Sequence, residues 1–184
     1  MGHRVFSCGI IGTCSGKRVK GARMNVLILY YSKGGNTRKL AEAISEGVVQ
    51  VDGVEAVLRH TREVTKDDFV ASDGLIAGSP VYFGTMAAQL KQVLDEFVGV
   101  RRKMENKIGA AFATSGDPSG GKETTMISII QALLIYGMII VGDPMSATGH
   151  YGTACAGVPD DSTRENGRKL GRRVAELVKQ LHLC

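Results

Sequence analysis

Short runs of apolar residues alternate with longer stretches of helical period from residue 25 onward, the pattern of parallel strands joined by crossover helices. The runs NVLILYY (25–31), VEAVLRH (54–60), DGLIAGS (73–79), IGAAFAT (108–114) and MIIVGD (138–143) predict five strands. Helices are predicted over about 37–50, 86–98, 122–136 and 162–182. The strands are nearly continuous in apolar residues, so they are expected to be buried on both faces between layers of helix. This is a doubly wound α/β fold.

Length and composition narrow the picture further. At 184 residues, with 43% hydrophobic and 22% charged residues, the chain suits one globular domain, residues 24–184, behind an N-terminal extension, residues 1–23. The net charge of +5 suggests a polyanion as partner until the charges are located. Arg4, Lys17, Arg18, Lys20 and Arg23 all fall in the extension, which has no acid, and the body balances 18 bases against 18 acids. No aromatic residues interleave with the basic ones, so no specific nucleic-acid partner is expected. Met126–Val141 is the most apolar stretch, but its 16 residues are interrupted by Ser128, Gln131 and Gly137 and fall short of a bilayer span. Its apolar residues cover most of the helix circumference, which predicts a homo-oligomer, dimer or tetramer, formed through the 122–136 region. Cys8 and Cys14 sit in the extension while Cys155 and Cys184 are isolated, so neither a disulfide framework nor a metal site is expected. Reduced thiols point to a cytoplasmic location.

Ligands of such sheets bind at the carboxyl ends of the strands. After the first strand comes Ser32-Lys33-Gly34-Gly35-Asn36-Thr37 and then a helix. Two glycines let backbone amides converge, hydroxyls flank them, and the helix start adds its positive dipole end, which together make a phosphate cradle. A capped tight turn would need only Asn36 or Thr37. After the third strand, Pro80-Val81-Tyr82-Phe83-Gly84 forms an apolar aromatic loop suited to a flat heteroaromatic ring. After the fourth, Ser115-Gly116-Asp117 and Gly120-Gly121-Lys122 nearly reproduce a nucleotide P-loop, but Glu123 stands where a magnesium-binding hydroxyl is required. The glycine-rich dinucleotide fingerprint is absent after the first strand, and Gly-Ser-Pro replaces the aspartate of a receiver domain.

A hydroxyl-bracketed phosphate loop followed by two ring-binding loops resembles the flavodoxin-like FMN-binding proteins, with Gly34 in place of their usual central hydroxyl residue. GSPVYFGTMAAQLKQVLDEF, SGDPSGGKETT, GMIIVG and His150-Tyr151-Gly152 are more similar to short WrbA-type NAD(P)H:quinone oxidoreductases. The resemblance implies a five-stranded sheet of order 2-1-3-4-5 and FMN held by Ser32–Thr37, Val81–Phe83 and Ser115–Gly121. It also implies NAD(P)H as co-substrate and a quinone or similar acceptor of the hydride. The alternative is a flavodoxin-type carrier of single electrons, and a flavin-binding regulatory protein is a third reading. Longer members carry insertions before the third strand and after the fifth, whereas both connections are read here as short. Where that type places His-His-Gly-Met, this chain has Ile135-Tyr136-Gly137-Met138. Tyr136, His150 and Lys122 are therefore the candidates for catalytic roles.

Overall fold

The computed structural model describes residues 23–183; the basic extension lies almost wholly outside them. In chain order the elements are β1 (Met24–Tyr30), α1 (Asn36–Val48), β2 (Val54–His60), α2 (Lys66–Ala71), β3 (Gly74–Tyr82), β4 (Thr85–Met86), α3 (Ala88–Glu96), a 3₁₀ turn (Val98–Lys103), β5 (Ile108–Ser115), α4 (Lys122–Ile135), β6 (Ile139–Ile140), β7 (Thr153–Ala156) and α5 (Asp161–Leu183). The main sheet runs β2-β1-β3-β5-β6, with β7 also paired to β5. All of these pairings are parallel. With the β4 hairpin arm set aside and the short β6 and β7 taken together as the fifth position beside β5, the order is 2-1-3-4-5, as the resemblance implied.

Alternate residues of β1 face opposite layers. Val26, Ile28 and Tyr30 pack with α1 and α5, while Leu27 and Leu29 pack with α3 and α4. Such two-sided burial explains the unbroken apolar strands. Helices α1 and α5 approach closely because they meet through glycines. A Cβ on Gly47 would fall on the Arg168 carbonyl, and one on Gly171 on the carbonyl of Ile44.

The fifth strand departs from expectation. Only Ile139 and Ile140 pair with the lower part of β5, opposite Ile108 and Gly109. The chain then leaves the sheet and returns as β7, opposite Phe112–Ser115. One sheet position is thus filled by two segments with an excursion between them, where an uninterrupted strand over 138–143 and a short connection were predicted. Asp143, buried inside the excursion, accepts the amide of Gly152 at 3.0 Å and so closes it. Burial raises the Asp143 carboxyl above the usual range. The short helix α2 was also not predicted. Its start is a capping box, in which Thr65 accepts the Asp68 amide and the Asp68 carboxylate accepts the Thr65 amide. Among the described residues no helix is long and apolar enough to cross a membrane.

Candidate functional site

Three chain crossings meet at the carboxyl edge of the sheet and line one cleft of about 480 Å³, within the range of small-molecule sites. The first crossing supplies Ser32, Lys33, Gly34, Asn36 and Thr37. Gly35 adopts φ +90°, a left-handed conformation that lets the chain turn into α1, and its amide donates to Ser32 Oγ at 3.1 Å. No side chain caps α1, so its first-turn amides are left for an acceptor from outside the helix. Thr37 is buried, and its hydroxyl lies 2.8 Å from that of Thr114 at the end of β5. That bond ties the first crossing to the third.

Pro80, Val81 and Tyr82 form the second wall, and Thr114, Ser115 and Gly116 the third. The second was expected to be a loop, but β3 continues through Tyr82 and turns back at once into β4. The Tyr82 ring stands edge-on to Tyr31, with centroids 6.3 Å apart. Burial, with the neighbouring Tyr31 hydroxyl, raises its phenol pKa. Two glycines bear on what the cleft accepts. A Cβ built on Gly34 or Gly116 meets nothing within 4 Å, and neither residue has a left-handed φ. The protein's own packing and backbone therefore do not require glycine there. An exposed backbone bordering the cleft, a helix start with free amides and hydroxyls beside it, and an aromatic wall fit a flat ring carrying a phosphate.

Residues 59–153, just over half of the chain, match the model of the family described as NADPH-dependent FMN reductase. The chain belongs to this family. Among its relatives, a flavodoxin of Aquifex aeolicus is 37% identical over 159 residues, covering 83% of this chain and 86% of that one. An NAD(P)H dehydrogenase (quinone) of Archaeoglobus fulgidus is 32% identical over 188 residues, covering 85% and 98%. In fold the chain is similar to the crystal structure of a flavodoxin, WrbA-like protein from Agrobacterium tumefaciens, with a TM-score of 0.74 at 24% identity, over 85% of this chain and 98% of that one. FMN is the cofactor that family membership assigns and NAD(P)H its co-substrate.

Other residues named from the sequence support the cleft from outside its walls. Phe83 and Gly84 form the tip of the β3–β4 hairpin, with φ +50° and +77°. The Gly84 carbonyl accepts the Thr124 hydroxyl at 2.6 Å. Gly121 lies against this tip, since a Cβ on it would come within 3.1 Å of Gly84 Cα. Asp117 and Gly120 shape the third crossing: the Asp117 carbonyl accepts Ser115 Oγ at 2.6 Å and the Gly120 amide at 3.1 Å. Asp117 Oδ1 accepts from Ser119 Oγ and N, and these bonds lower its carboxyl pKa. Thr114 was missed. Its signal was a hydroxyl at the last apolar-strand position, directly before Ser115-Gly116.

None of the three catalytic candidates lines this cleft. Lys122 donates to the Pro118 carbonyl at 2.9 Å and, with His150, borders a separate recess of about 190 Å³. Tyr136 is a correction. It is buried beneath α3 and α4, donates its hydroxyl to the Leu94 carbonyl at 2.6 Å, and has its pKa pushed up to about 12 by burial. It is a core residue that cannot exchange protons with a ligand in the cleft. Tyr136→Phe is expected to cost about 1–2 kcal/mol of stability, because the Leu94 carbonyl loses its donor. The same variant should retain full turnover, so denaturation and steady-state assays together check the assignment.

Proposed function

We propose that the protein is an FMN-dependent oxidoreductase that passes a hydride from NAD(P)H to a quinone or similar acceptor. The observation that carries this reading is the cleft itself, open along Gly34 and Gly116 and walled by Tyr82. FMN, when bound, supplies the redox chemistry, taking two electrons from NAD(P)H and yielding them to the acceptor. The first crossing holds the phosphate through the α1 amides and the hydroxyls of Ser32 and Thr37. Tyr82 and Val81 orient the ring, and the backbone of Ser115 and Gly116 supplies its polar edge with partners. No side chain of the cleft is required as a nucleophile or general base. The names of the quinone-reducing relatives support the same reading.

A flavodoxin-like carrier is the second reading, favoured by the Aquifex relative. Against it stands the balanced charge of residues 24–184, since carriers rely on charge complementarity for rapid docking. The deciding experiment is steady-state oxidation of NAD(P)H by the FMN-loaded protein with a soluble quinone. Turnover without added reductase identifies an enzyme, whereas dependence on a separate reductase identifies a carrier. Self-association is proposed through the outward stripe of Ile127 and Leu134 on α4, continued by Ile139, all exposed. The partly exposed, unpaired thiol of Cys155 fits a reducing cytoplasm.

A further inference from the structure

A second hollow of about 730 Å³ adjoins the FMN cleft and shares Tyr82 with it. It runs between the β3–β4 hairpin and the helices behind it. Ser128, Gln131, Ala132 and Ile135 form its α4 side, and their spacing places them on one stripe of the helix. The stripe is ~10 Å long at ~1.5 Å per residue. Tyr82, Phe83 and Met86 close the other side.

Most polar groups in these walls are already occupied. Ser128 Oγ donates to the Thr125 carbonyl at 2.7 Å and accepts the Met86 amide at 3.2 Å. The Lys91 ammonium is held by Asp95. The groove therefore presents an apolar surface to a ligand. At its junction with the cleft, Phe83 is fully exposed and held at φ +50°, a strained conformation for a bulky residue. A fully exposed aromatic ring on a backbone conformation unfavourable to it points to something apolar for it to cover.

We propose that this groove binds the isoprenoid side chain of a quinone whose ring enters the neighbouring cleft. The proposal rests on the quinone reading above and names the acceptor class within it. Each isoprene unit adds four chain carbons, roughly 5 Å at ~1.5 Å per bond, so two units fill the α4 stripe. At Ile135 the groove ends beside Arg101 and Arg102, which border the next hollow, and a third unit emerges there into a charged setting. A second copy of the chain is the competing occupant. Its natural contact is the Ile127 and Leu134 stripe, roughly 100° round the helix from Ser128 and Ile135, which leaves the groove open.

The test uses the full-length FMN-loaded protein with NAD(P)H and quinones carrying no tail or one, two or three isoprene units. KM is expected to fall roughly tenfold for each of the first two units and then level off, because a half-open groove buries part of each unit. Ile135→Asp should collapse the KM ratio between tailed and tail-less quinones, with thermal melts confirming that it folds. Independently of turnover, geraniol, a redox-inert alcohol of two isoprene units, should shift the methyl NMR signals of Met86 and Ile135. A KM indifferent to tail length, or shifts confined to other methyls, would overturn the groove assignment while leaving quinone reduction intact. Failure to reduce any quinone, with the geraniol shifts present, would sink the activity and keep the groove. Sedimentation showing a dimer in which Ile135 is covered and geraniol has no effect would give the groove to a second copy.

Discussion

Gly34→Glu is expected to weaken FMN binding by about a hundredfold or more while shifting the thermal midpoint of the ligand-free protein by no more than a few degrees. A Cβ at Gly34 meets no atom within 4 Å, and the backbone there is not left-handed, so a side chain can leave the backbone without a clash. The carboxylate would enter a cradle whose other features, free amides at a helix start and flanking hydroxyls, all favour an anion. Two opposed charges of like sign at ~5 Å with an effective dielectric of ~20 repel by about 3 kcal/mol, a hundredfold or more in affinity. Riboflavin has no phosphate and should lose less than about tenfold, and added salt should recover part of the FMN loss. Fluorescence titration with both ligands checks this. Equal losses would remove the phosphate from the first crossing.

The first crossing was readable in the sequence because its determinants are local: glycines, hydroxyls and a helix start within six residues. The alternation of apolar runs with helical period predicted parallel strands between helix layers, with their loops at one rim, while the strand order came from the resemblance to flavodoxin-like proteins. What escaped depends on distant partners. Tyr136 sits at a motif position that suggests chemistry, yet its hydroxyl is claimed by Leu94, 42 residues away. Thr114 acquires its place through Thr37, 77 residues away. MIIVGD reads as one strand, but β6 ends at Ile140, and a Cβ at Gly142 would collide with the His150 carbonyl. Its replacement beside β5, Thr153-Ala154-Cys155-Ala156, is only four residues long and half alanine, which has little strand propensity. The capping box at Thr65–Asp68 was local and could have been found.

Gly152→Ala should produce the opposite signature, a loss of stability of about 3 kcal/mol or more together with equal weakening of FMN and riboflavin. Gly152 has φ +138°, and a Cβ there would overlap the Ala111 carbonyl oxygen of β5 and lie 3.3 Å from Met126 Sδ. Overpacking costs about 1–3 kcal/mol, and a backbone conformation reserved for glycine adds about 1–3 more. For a chain of this size 3 kcal/mol corresponds to about 6–12 °C in thermal midpoint. The damage would spread to the site because Gly152 is where the excursion returns to the sheet. Pushing it away from β5 strains its bond to Asp143 and displaces β7, whose Cys155 and Ala156 pair with Thr114 and Ser115. Those two residues form the third wall of the cleft. Because the wall as a whole moves, loss of the phosphate should not change the size of the effect, which separates this variant from Gly34→Glu. Wild-type stability in Gly152→Ala would mean that β7 does not complete the fifth sheet position in solution.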